Sequence, residues 1–496
     1  MKTYTMYHYL FLVASFFATI SLWSQETISW GPAISVADGT TFGNIRPRLT
    51  LTTNDQPIVV FGKNGTGRLF VAKGNGSSFS TPVDILPANL GTYLANWTGP
   101  DIAAYGDTVI AVFKALPFDE GKVFIVRSTD GGLTFSDTIR VDDHDTGRCF
   151  MPALTIDNAG NPIVDYMIFD GSSDNPRYAV AQSNDAGLTF LSGVEASTVN
   201  PGEACDCCPA EMVTDGTHQV LLYRNNTSNI RDIYAASSTD GGATFSLGGD
   251  LEALQWFINS CPSTGPHGVI VGDSLFSVAA SDASGNYRVN ISSIDFNTNL
   301  SIEQQVAVIP PTNMNGGQNY PRISGENDTL VLVWEEKETS NPEVFCSVIT
   351  NGNIAAFSSY KSRVNEITTG VQTNPDIVYK NGFAHIVYQD AASGDVIYRK
   401  GTVVSVAGIN SIDLNAISVY PNPSSDGVFH FQGLPNAEQW KGTVADLAGN
   451  AIASQFVVAQ DGVQLILHST VKNGLYFLAM ENSAGDQLTL RLSVAH

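Results

Sequence analysis

Seven prolines recur along the chain at nearly constant spacing, and each is followed by a short strand-like segment. They are Pro47, Pro100, Pro152, Pro209, Pro266, Pro321 and Pro375. Successive members lie 52 to 57 residues apart. A fixed period of this length indicates that one supersecondary unit is repeated along most of the chain, because a single irregular domain has no reason to keep such a spacing.

Each repeat contains further short runs rich in β-branched and aromatic residues. In the first repeat these are residues 57–61 and 69–72, and in the second they are residues 109–113 and 123–126. With the strand after each proline and a strand that leads to the next one, they make four short strands per repeat, which is typical of a β-propeller blade. The sequence therefore predicts an all-β fold, a seven-bladed β-propeller with six blades as the alternative, followed by a small C-terminal β-sandwich.

The last repeat shows only three evident strands, whereas residues 27–36 form a lone strand-like segment before the first repeat. We expect this segment to pair with the seventh repeat. Such pairing would complete the last blade and remove exposed sheet edges.

Three repeats carry the pattern Ser-x-Asp-Gly/Ala-Gly-x-Thr-Phe, in which the aspartates are Asp130, Asp185 and Asp240. A hairpin turn explains these residue types, because Asp accepts hydrogen bonds from nearby backbone N–H groups and Gly adopts positive φ. The motif resembles the Asp-box (BNR) repeats of sialidase-like propellers. In that family the boxes lie on the face opposite the active site, so the resemblance implies that these aspartates are structural.

The two ends of the chain carry export signals. Lys2 and the apolar residues 10–23 predict a removed signal peptide, residues 1–24. The segment Tyr420-Pro421-Asn422-Pro423 and the strand-rich terminus resemble the type A sorting domain of type IX secretion cargo. We therefore predict a propeller at 25–405, a linker at 406–415 and a sorting domain at 416–496. An accessory β-sandwich with a binding role is the alternative for the last part.

The sorting-domain resemblance implies export through the inner and outer membranes, with the type IX secretion machinery as a partner, to give a secreted or surface protein. No later stretch approaches twenty apolar residues, so we expect no transmembrane segment in the mature protein. The chain has 25 Lys and Arg against 48 Asp and Glu, a net charge of -23. This balance argues against nucleic acid as a partner, because phosphate binding needs clustered basic residues.

Candidate site residues follow the prolines, because the loops that lead into the innermost strands of a propeller open on the face that carries the pocket. Glu211 stands two residues after its proline, where five of the seven repeats are apolar. A carboxylate at a usually buried position needs a salt-bridge partner or a functional role. We predict Glu211 and Asp101 as catalytic candidates. The predicted substrate-binding residues are Arg48, Arg224, Arg231, Asp232, His267, Arg322 and Asp376.

Six cysteines are expected to pair as disulfides, because the protein is predicted to be exported. They are Cys149, Cys205, Cys207, Cys208, Cys261 and Cys346. Their pairing cannot be deduced from sequence. A soft metal such as Cu(I) or Zn, and redox chemistry, are the alternatives for the Cys-x-Cys-Cys cluster. Because disulfides are favoured over these two alternatives, we expect no metal and no cofactor.

Three functions are compatible with these features. The first is a secreted hydrolase or lyase that acts on glycans with acidic groups, and the second is a non-catalytic surface propeller that binds glycan or protein. The third is a metal-binding surface protein built on the cysteine cluster. The sialidase resemblance implies an arginine cluster, a Tyr/Glu pair and an Asp acid–base. No Tyr/Glu pair can be matched here, and Tyr320 beside Arg322 is only a hypothesis for the tyrosine.

Overall fold

A computed structural model of the chain describes residues 26–39, 43–171, 173–296, 299–313, 315–338, 341–405, 418–432, 440–447, 449–459, 462–482 and 487–496. These residues fall into two compact units, one spanning Glu26–Val404 and the other taking in the described residues from Ser405 to His496. The predicted signal peptide (1–24) and linker (406–415) lie outside the described residues.

The first unit consists of one N-terminal strand, β1 (Glu26–Ala37), and seven antiparallel sheets. Sheet 1 contains β2 (Asn44–Leu51), β3 (Pro57–Lys63), β4 (Arg68–Lys73) and β5 (Val83–Asp84). Sheet 2 contains β6 (Asp101–Tyr105), β7 (Thr108–Lys114), β8 (Val123–Ser128) and β9 (Ile139–Arg140). Sheet 3 contains β10 (Cys149–Ile156), β11 (Pro162–Asp170), β12 (Asp174–Gln182) and β13 (Val194–Glu195).

Sheet 4 has a fifth, short strand. Its strands are β14 (Glu203–Ala204), β15 (Glu211–Thr214), β16 (Gln219–Asn226), β17 (Ile233–Ser238) and β18 (Leu247–Asp250). Sheet 5 contains β19 (His267–Val271), β20 (Ser274–Ser281), β21 (Arg288–Asp295) and β22 (Ser301–Ala307). Sheet 6 contains β23 (Gln318–Glu326), β24 (Thr329–Lys337), β25 (Pro342–Ile349) and β26 (Ser362–Arg363). Three short 3₁₀ helices span Thr53–Asp55, Ser197–Val199 and Ile354–Ser358.

Sheet 7 joins the two ends of this unit. It contains β27 (Gln372–Lys380), β28 (Phe383–Asp390) and β29 (Asp395–Ser405), and β1 pairs with β29 as its fourth strand. The prediction that residues 27–36 complete the last sheet is confirmed by this pairing. The innermost strand of each sheet also contacts that of the next, and β27 contacts β2.

The hydrophobic core lies between consecutive sheets. Val60 of sheet 1 clusters with Val109 and Phe113 of sheet 2, and Phe61 on the neighbouring position clusters with Val387 of sheet 7. Because side chains alternate between the two faces of a strand, each sheet packs against both of its neighbours. The described residues therefore form an all-β propeller-type arrangement, as the sequence predicted.

The three Asp-box motifs adopt one common turn directly after the third strand of sheets 2, 3 and 4. In the first, Asp130 Oδ1 accepts hydrogen bonds from Leu133 N and Thr134 N, both at 3.0 Å, and Thr134 Oγ1 donates to Asp130 Oδ2 at 2.6 Å. Asp185 and Asp240 make the equivalent bonds to their own threonines. Since strands alternate in direction, these turns lie at the opposite end of the sheets from the proline loops.

The second unit consists of two four-stranded antiparallel sheets. One contains β30 (Ser418–Tyr420), β31 (Val428–Gln432), β34 (Ser454–Ala459) and β35 (Gly462–Leu467). The other contains β32 (Trp440–Asp446), β33 (Ala451–Ile452), β36 (Gly474–Asn482) and β37 (Gln487–Val494). Phe429 and Leu465 of the first sheet share a buried cluster with Val444 and Leu478 of the second. No described helix has the length and apolar character needed to cross a membrane.

Candidate functional site

One residue of each innermost strand occupies an equivalent position, opposite the middle of the second strand. We call it the inner-strand position. Its seven occupants are Arg48, Asp101, Ala153, Glu211, His267, Arg322 and Asp376. Their partners on the second strands, in the same order, are Val60, Val112, Asp165, Leu222, Val278, Val333 and Val387. Five of the sequence-predicted site residues thus share this position with Glu211.

The interpretation of Glu211 as a replacement for a usually apolar residue is wrong. Glu211 pairs with Leu222 in the register that pairs Arg48 with Val60, so it belongs with the charged inner-strand residues. The apolar position that follows is filled by Met212, which is 1% exposed. The fourth repeat has one extra residue, Ala210, between the proline and this position, and the extra residue shifts the apparent alignment by one.

Glu211 lies between a cation and an imidazole. Its Oε2 is 3.3 Å from Arg322 Nη1, and its Oε1 is 3.4 Å from His267 Nε2. Ile323 N–H donates to His267 Nδ1 at 3.2 Å, which leaves Nε2 as the protonated nitrogen of the neutral ring. Burial lowers the pKa of His267 well below its usual value, so the ring is neutral near pH 7.

Burial raises the pKa of the Glu211 carboxyl well above its ordinary value. Arg322 opposes this effect, whereas the carboxyl groups of Asp101 and Asp165 add to it. Arg322 also lies 4.0 Å from Asp376 Oδ1. A carboxyl with a raised pKa beside a cation and a neutral histidine can hold and transfer a proton near neutral pH.

Three inner-strand residues join their own sheet to the next one. Asp101 Oδ2 accepts from Leu154 N at 2.9 Å, and Asp376 Oδ2 accepts from Leu49 N at 2.7 Å. His267 accepts the equivalent N–H of sheet 6, as described above. The other carboxylate oxygen of Asp101 accepts from its own neighbour, Ile102 N, at 2.9 Å. One oxygen of Asp101 therefore joins sheets 2 and 3, the other bonds within its own strand, and neither of these contacts favours an acid–base role.

The proline loops form a pocket above the inner-strand residues. Its lining includes Arg46, Arg48, Trp97, Tyr320 and Arg322, and its volume is about 20 Å³, which is room for little more than one water-sized group. Arg46 Nη1 donates to Asn374 Oδ1 at 3.2 Å and Nη2 donates to the Trp97 carbonyl at 3.0 Å, while the buried Nε has no hydrogen-bond partner among the described residues. Arg46 was not among the predicted site residues, and Tyr320 was named only as a hypothesis for the catalytic tyrosine.

The residue before the proline has a left-handed backbone in four sheets, at a β-bulge of the innermost strand. These residues are Arg46 (φ 58°), Met151 (φ 47°), Tyr320 (φ 47°) and Asn374 (φ 51°). Positive φ is uncommon for side chains of this size and carries strain. In sheets 1 and 6 this bulge places Arg46 and Tyr320 in the pocket lining.

The pocket concentrates positive charge in a partly desolvated space. Burial lowers the pKa of Arg48 to about 10, and repulsion from Arg322 contributes. Burial and the same kind of repulsion lower the pKa of Arg46 well below its usual value. Both shifts mean that the charged guanidinium groups are held at an energetic disadvantage, which a bound anion would relieve.

Arg224, Arg231 and Asp232 do not reach this pocket, and their predicted role in substrate binding is corrected. Arg224 is fully buried and donates to the carbonyl groups of Thr264, Arg231 and Ala280 at 2.6 to 3.0 Å. Asp232 accepts from the backbone N–H groups of residues 255 and 256. Arg231 Nη1 contacts Cys205 Sγ of the Cys-x-Cys-Cys cluster. Arg224 lies on β16, and Arg231 and Asp232 lie in the loop that follows it; all three are buried, so their charges serve internal contacts.

The cysteines are not all paired. Cys207 and Cys261 form a disulfide. Cys149, Cys205, Cys208 and Cys346 are buried thiols. Cys346 lies in the apolar core between sheets 6 and 7, and Cys149 in that between sheets 2 and 3, which explains why no other cysteine can reach them. The expectation of three disulfides is therefore corrected to one in this structure.

Sequence reasoning missed Asp165. It is 0% exposed, and neither carboxylate oxygen has a hydrogen-bond partner of normal geometry among the described residues. Burial raises its pKa well above the ordinary value and the charge of Asp101 raises it further, although the N–H of Met212 acts in the opposite direction. The signal was present in the segment Ile163-Val164-Asp165-Tyr166, where the other six sheets carry valine or leucine in place of the aspartate.

The fold and the site together define an all-β protein with a charged pocket at one end of its sheets. Residues 418–494 match the family model described as "Secretion system C-terminal sorting domain". The chain therefore ends in a type IX secretion sorting domain and is exported to the cell surface or the extracellular space, as predicted. A comparison with curated proteins gives no significant match.

Solved structures similar to this chain include glycan-active propellers. A protein of unknown function from Dyadobacter fermentans is 12% identical with a TM-score of 0.47, and the match covers 76% of this chain and 99% of that one. An ulvan lyase of family PL25 bound to -[GlcA(1-4)Rha3S]- is 10% identical (TM-score 0.47; 76% and 98% covered), and a Hadza microbial sialidase is 11% identical (TM-score 0.41; 73% and 66% covered). With identities of 10 to 12% and TM-scores below 0.5, these matches carry no argument, and the propeller-type arrangement is inferred from the seven sheets described above.

Proposed function

We propose that this exported protein recognises acidic groups of extracellular glycans in its arginine pocket. The observation that supports this is the convergence of Arg46, Arg48 and Arg322 on one open cavity. A carboxylate or sulfate there would relieve the repulsion between the guanidinium groups. Trp97 and Tyr320 in the same lining offer apolar surface to a sugar ring.

The proposal is tested by measuring binding of the mature protein to uronate-containing, sulfated and neutral polysaccharides by calorimetry. We expect binding to the acidic polymers alone, weakened by added salt. Arg322→Gln should weaken it at least tenfold, because a charge-assisted contact of about 1.5 to 3 kcal/mol is lost. Arg363→Gln is the matched control, since Arg363 is exposed on β26 of the same sheet.

Equal affinity for neutral and acidic polymers would overturn the proposal. So would binding that is unchanged in Arg322→Gln while that variant keeps the wild-type circular dichroism spectrum and melting temperature. Binding of a protein ligand instead, still dependent on Arg322, would support the non-catalytic alternative.

A second candidate function is cleavage of the bound glycan by proton transfer at Glu211. The observation that favours it is the position of this carboxyl, whose pKa is raised, within 3.4 Å of both a cation and a neutral histidine. Such a carboxyl can protonate a glycosidic oxygen or take up a proton in an elimination. A hydrolase and a lyase both remain compatible with this arrangement.

Incubation with the polymers that bind separates these possibilities. New reducing ends without ultraviolet absorbance indicate hydrolysis, and absorbance from an unsaturated uronide indicates elimination. Glu211→Gln should abolish turnover and retain binding. Turnover at the wild-type rate in Glu211→Gln would remove this residue from the reaction, and the absence of any turnover would leave the binding function alone.

We also propose that the seven sheets are the blades of a closed propeller, residues 25–405. The contacts between successive innermost strands, including β27 with β2, support this architecture. Residues 416–496 would then engage the secretion machinery as a separate domain. Class-averaged electron micrographs of the isolated 25–405 segment should show seven lobes, and six would contradict the proposal.

A further inference from the structure

Four cysteines gather where the loop before β15 meets the loop before β19. The Cys207–Cys261 disulfide joins the two loops, and Cys261 is exposed. Cys205 and Cys208 are both 0% exposed and both carry thiols. The site thus combines a solvent-accessible disulfide with a buried dithiol, and the proposed glycan chemistry uses neither.

The sulfur atoms are close enough to react with one another. Cys205 Sγ lies 2.8 Å from Cys208 Sγ and 3.7 Å from Cys207 Sγ. Cys208 N–H donates to the Cys205 carbonyl at 3.1 Å, so a tight turn holds the two thiols together. Cys205 therefore contacts both its partner thiol and one sulfur of the disulfide.

A guanidinium group activates the central thiol. Arg231 Nη1 lies 3.1 Å from Cys205 Sγ, and Arg231 is 8% exposed. Burial raises the pKa of Cys205, but the Cys208 thiol and the Arg231 charge outweigh burial and bring it to about 7. Burial raises the pKa of Cys208 well above its usual value. Since the thiolate is the reactive form, Cys205 is the nucleophile of the pair.

We propose that these four cysteines form a thiol–disulfide exchange site that moves a disulfide between the exposed and the buried pair. In the first step the Cys205 thiolate attacks Cys207 Sγ, the Cys205–Cys207 bond forms, and Cys261 leaves as a thiolate that takes up a proton. In the second step Cys208, having lost its proton, attacks Cys205 Sγ, and Cys207 leaves and is protonated. One disulfide is broken and one is formed, so no external oxidant is consumed and two protons pass from the buried pair to the exposed pair.

The same sulfur atoms could in principle bind a soft metal, since Cys205, Cys207 and Cys208 have their Sγ atoms within 4.8 Å of one another. A three-thiolate site requires Cys207 as a thiolate, whereas the structure has it in a disulfide. The exchange chemistry uses the bonds as they stand, and metal binding is an outcome that the experiment below detects.

The test follows molecules that contain a single disulfide among the four cysteines. The full-length mature protein, which carries one disulfide and two thiols among these four cysteines, is incubated at pH 7, and samples taken over time are quenched with acid, unfolded, labelled with N-ethylmaleimide and mapped by peptide mass spectrometry. We expect two populations, one linked Cys207–Cys261 and one linked Cys205–Cys208, that interconvert with time. Single-disulfide molecules that always carry Cys207–Cys261 would overturn the proposal, as would stoichiometric zinc or copper by elemental analysis with Cys207 free.

Variants separate the two steps. Cys208→Ser should stop the reaction at the Cys205–Cys207 link, and Cys205→Ser should leave Cys207–Cys261 intact in every molecule. Arg231→Gln should slow interconversion about fivefold at pH 7, because a smaller thiolate fraction is partly offset by higher nucleophilicity. Cys346→Ser, which removes a thiol from the core of sheets 6 and 7, is the control and should exchange like the wild type. If Cys208→Ser folds, as judged by its melting curve, and shows no Cys205–Cys207 link, the proposed route is wrong.

Discussion

Asp165 lies directly opposite Ala153 in sheet 3, where the two strands pair in register. The other six sheets carry valine or leucine where Asp165 stands. This carboxyl is buried, and among the described residues its oxygens have no hydrogen-bond partner of normal geometry. An unpaired polar group in such a place costs folding free energy. We predict that Asp165→Val raises the free energy of unfolding by about 1 to 3 kcal/mol in urea titrations. Asp165→Asn is the control of equal size and should gain less, and a loss of stability in the valine variant would show that Asp165 has a structural partner.

The buried carboxyl groups predict an unusual dependence of stability on pH. The pKa of Glu252 is raised from 4.5 to about 7, first by burial, and that of Asp165 is raised as well. The folded state therefore binds these protons more tightly than the unfolded chain, so the free energy of unfolding falls as pH rises from about 4.5 through 7. Glu252 alone contributes a loss of about 3 kcal/mol. Urea titrations at a series of pH values measure this slope, which should flatten in Glu252→Gln; a stability that rises over the same interval would contradict the prediction.

Arg224 should behave as a structural residue. Its guanidinium group is fully buried, stacks on the Trp256 ring at 4.7 Å and lies 3.7 Å from Glu252. Arg224→Met removes three hydrogen bonds to carbonyl groups and leaves a buried carboxyl without its cation, so we expect a loss of about 3 to 5 kcal/mol in thermal or urea unfolding. Arg363→Met, at an exposed position, should change stability by about 0.5 kcal/mol or less. If Arg224→Met reduces the glycan affinity of the folded protein, Arg224 belongs to the binding site and the prediction is wrong.

Ser238 of the third Asp-box motif tests whether the turns at one end of the sheets contribute to stability and not to binding at the other end. Ser238 is fully buried, and its Oγ accepts from Gly242 N at 2.9 Å while donating to Asp240. Ser238→Ala leaves a buried N–H unpaired, which costs about 1 to 2 kcal/mol of stability in urea titrations. Glycan binding should not change, because this turn lies at the far end of the strands from the arginine pocket. Ser246→Ala, exposed in the same turn region, serves as the control, and an equal loss in both variants would contradict the hydrogen-bond argument.

The repeat made the all-β fold and the pairing of the N-terminal strand predictable, because spacing and alternation survive in the chain as local patterns. The same spacing placed Arg48, His267 and Arg322 correctly on the innermost strands. It failed at Glu211, because one added residue shifts the register and only the strand pairing reveals the shift. It also assigned Arg224 to the site, since a sequence does not show which side chains are covered by neighbouring segments.

The hydrogen bond from Arg399 Nε to the Gly31 carbonyl, 2.9 Å long, joins residues 368 positions apart in the chain. A contact of such long range adds little to the equilibrium cost of loop closure, because that cost grows only with the logarithm of length. The long separation instead affects the order in which strands pair during folding, because pairing between distant segments is slow. Strand β1 is synthesised before the other strands of this unit, and it cannot pair until its partner β29, the last of them, has been synthesised. Any chain that is interrupted before β29 therefore leaves the backbone groups of β1 without their partner strand.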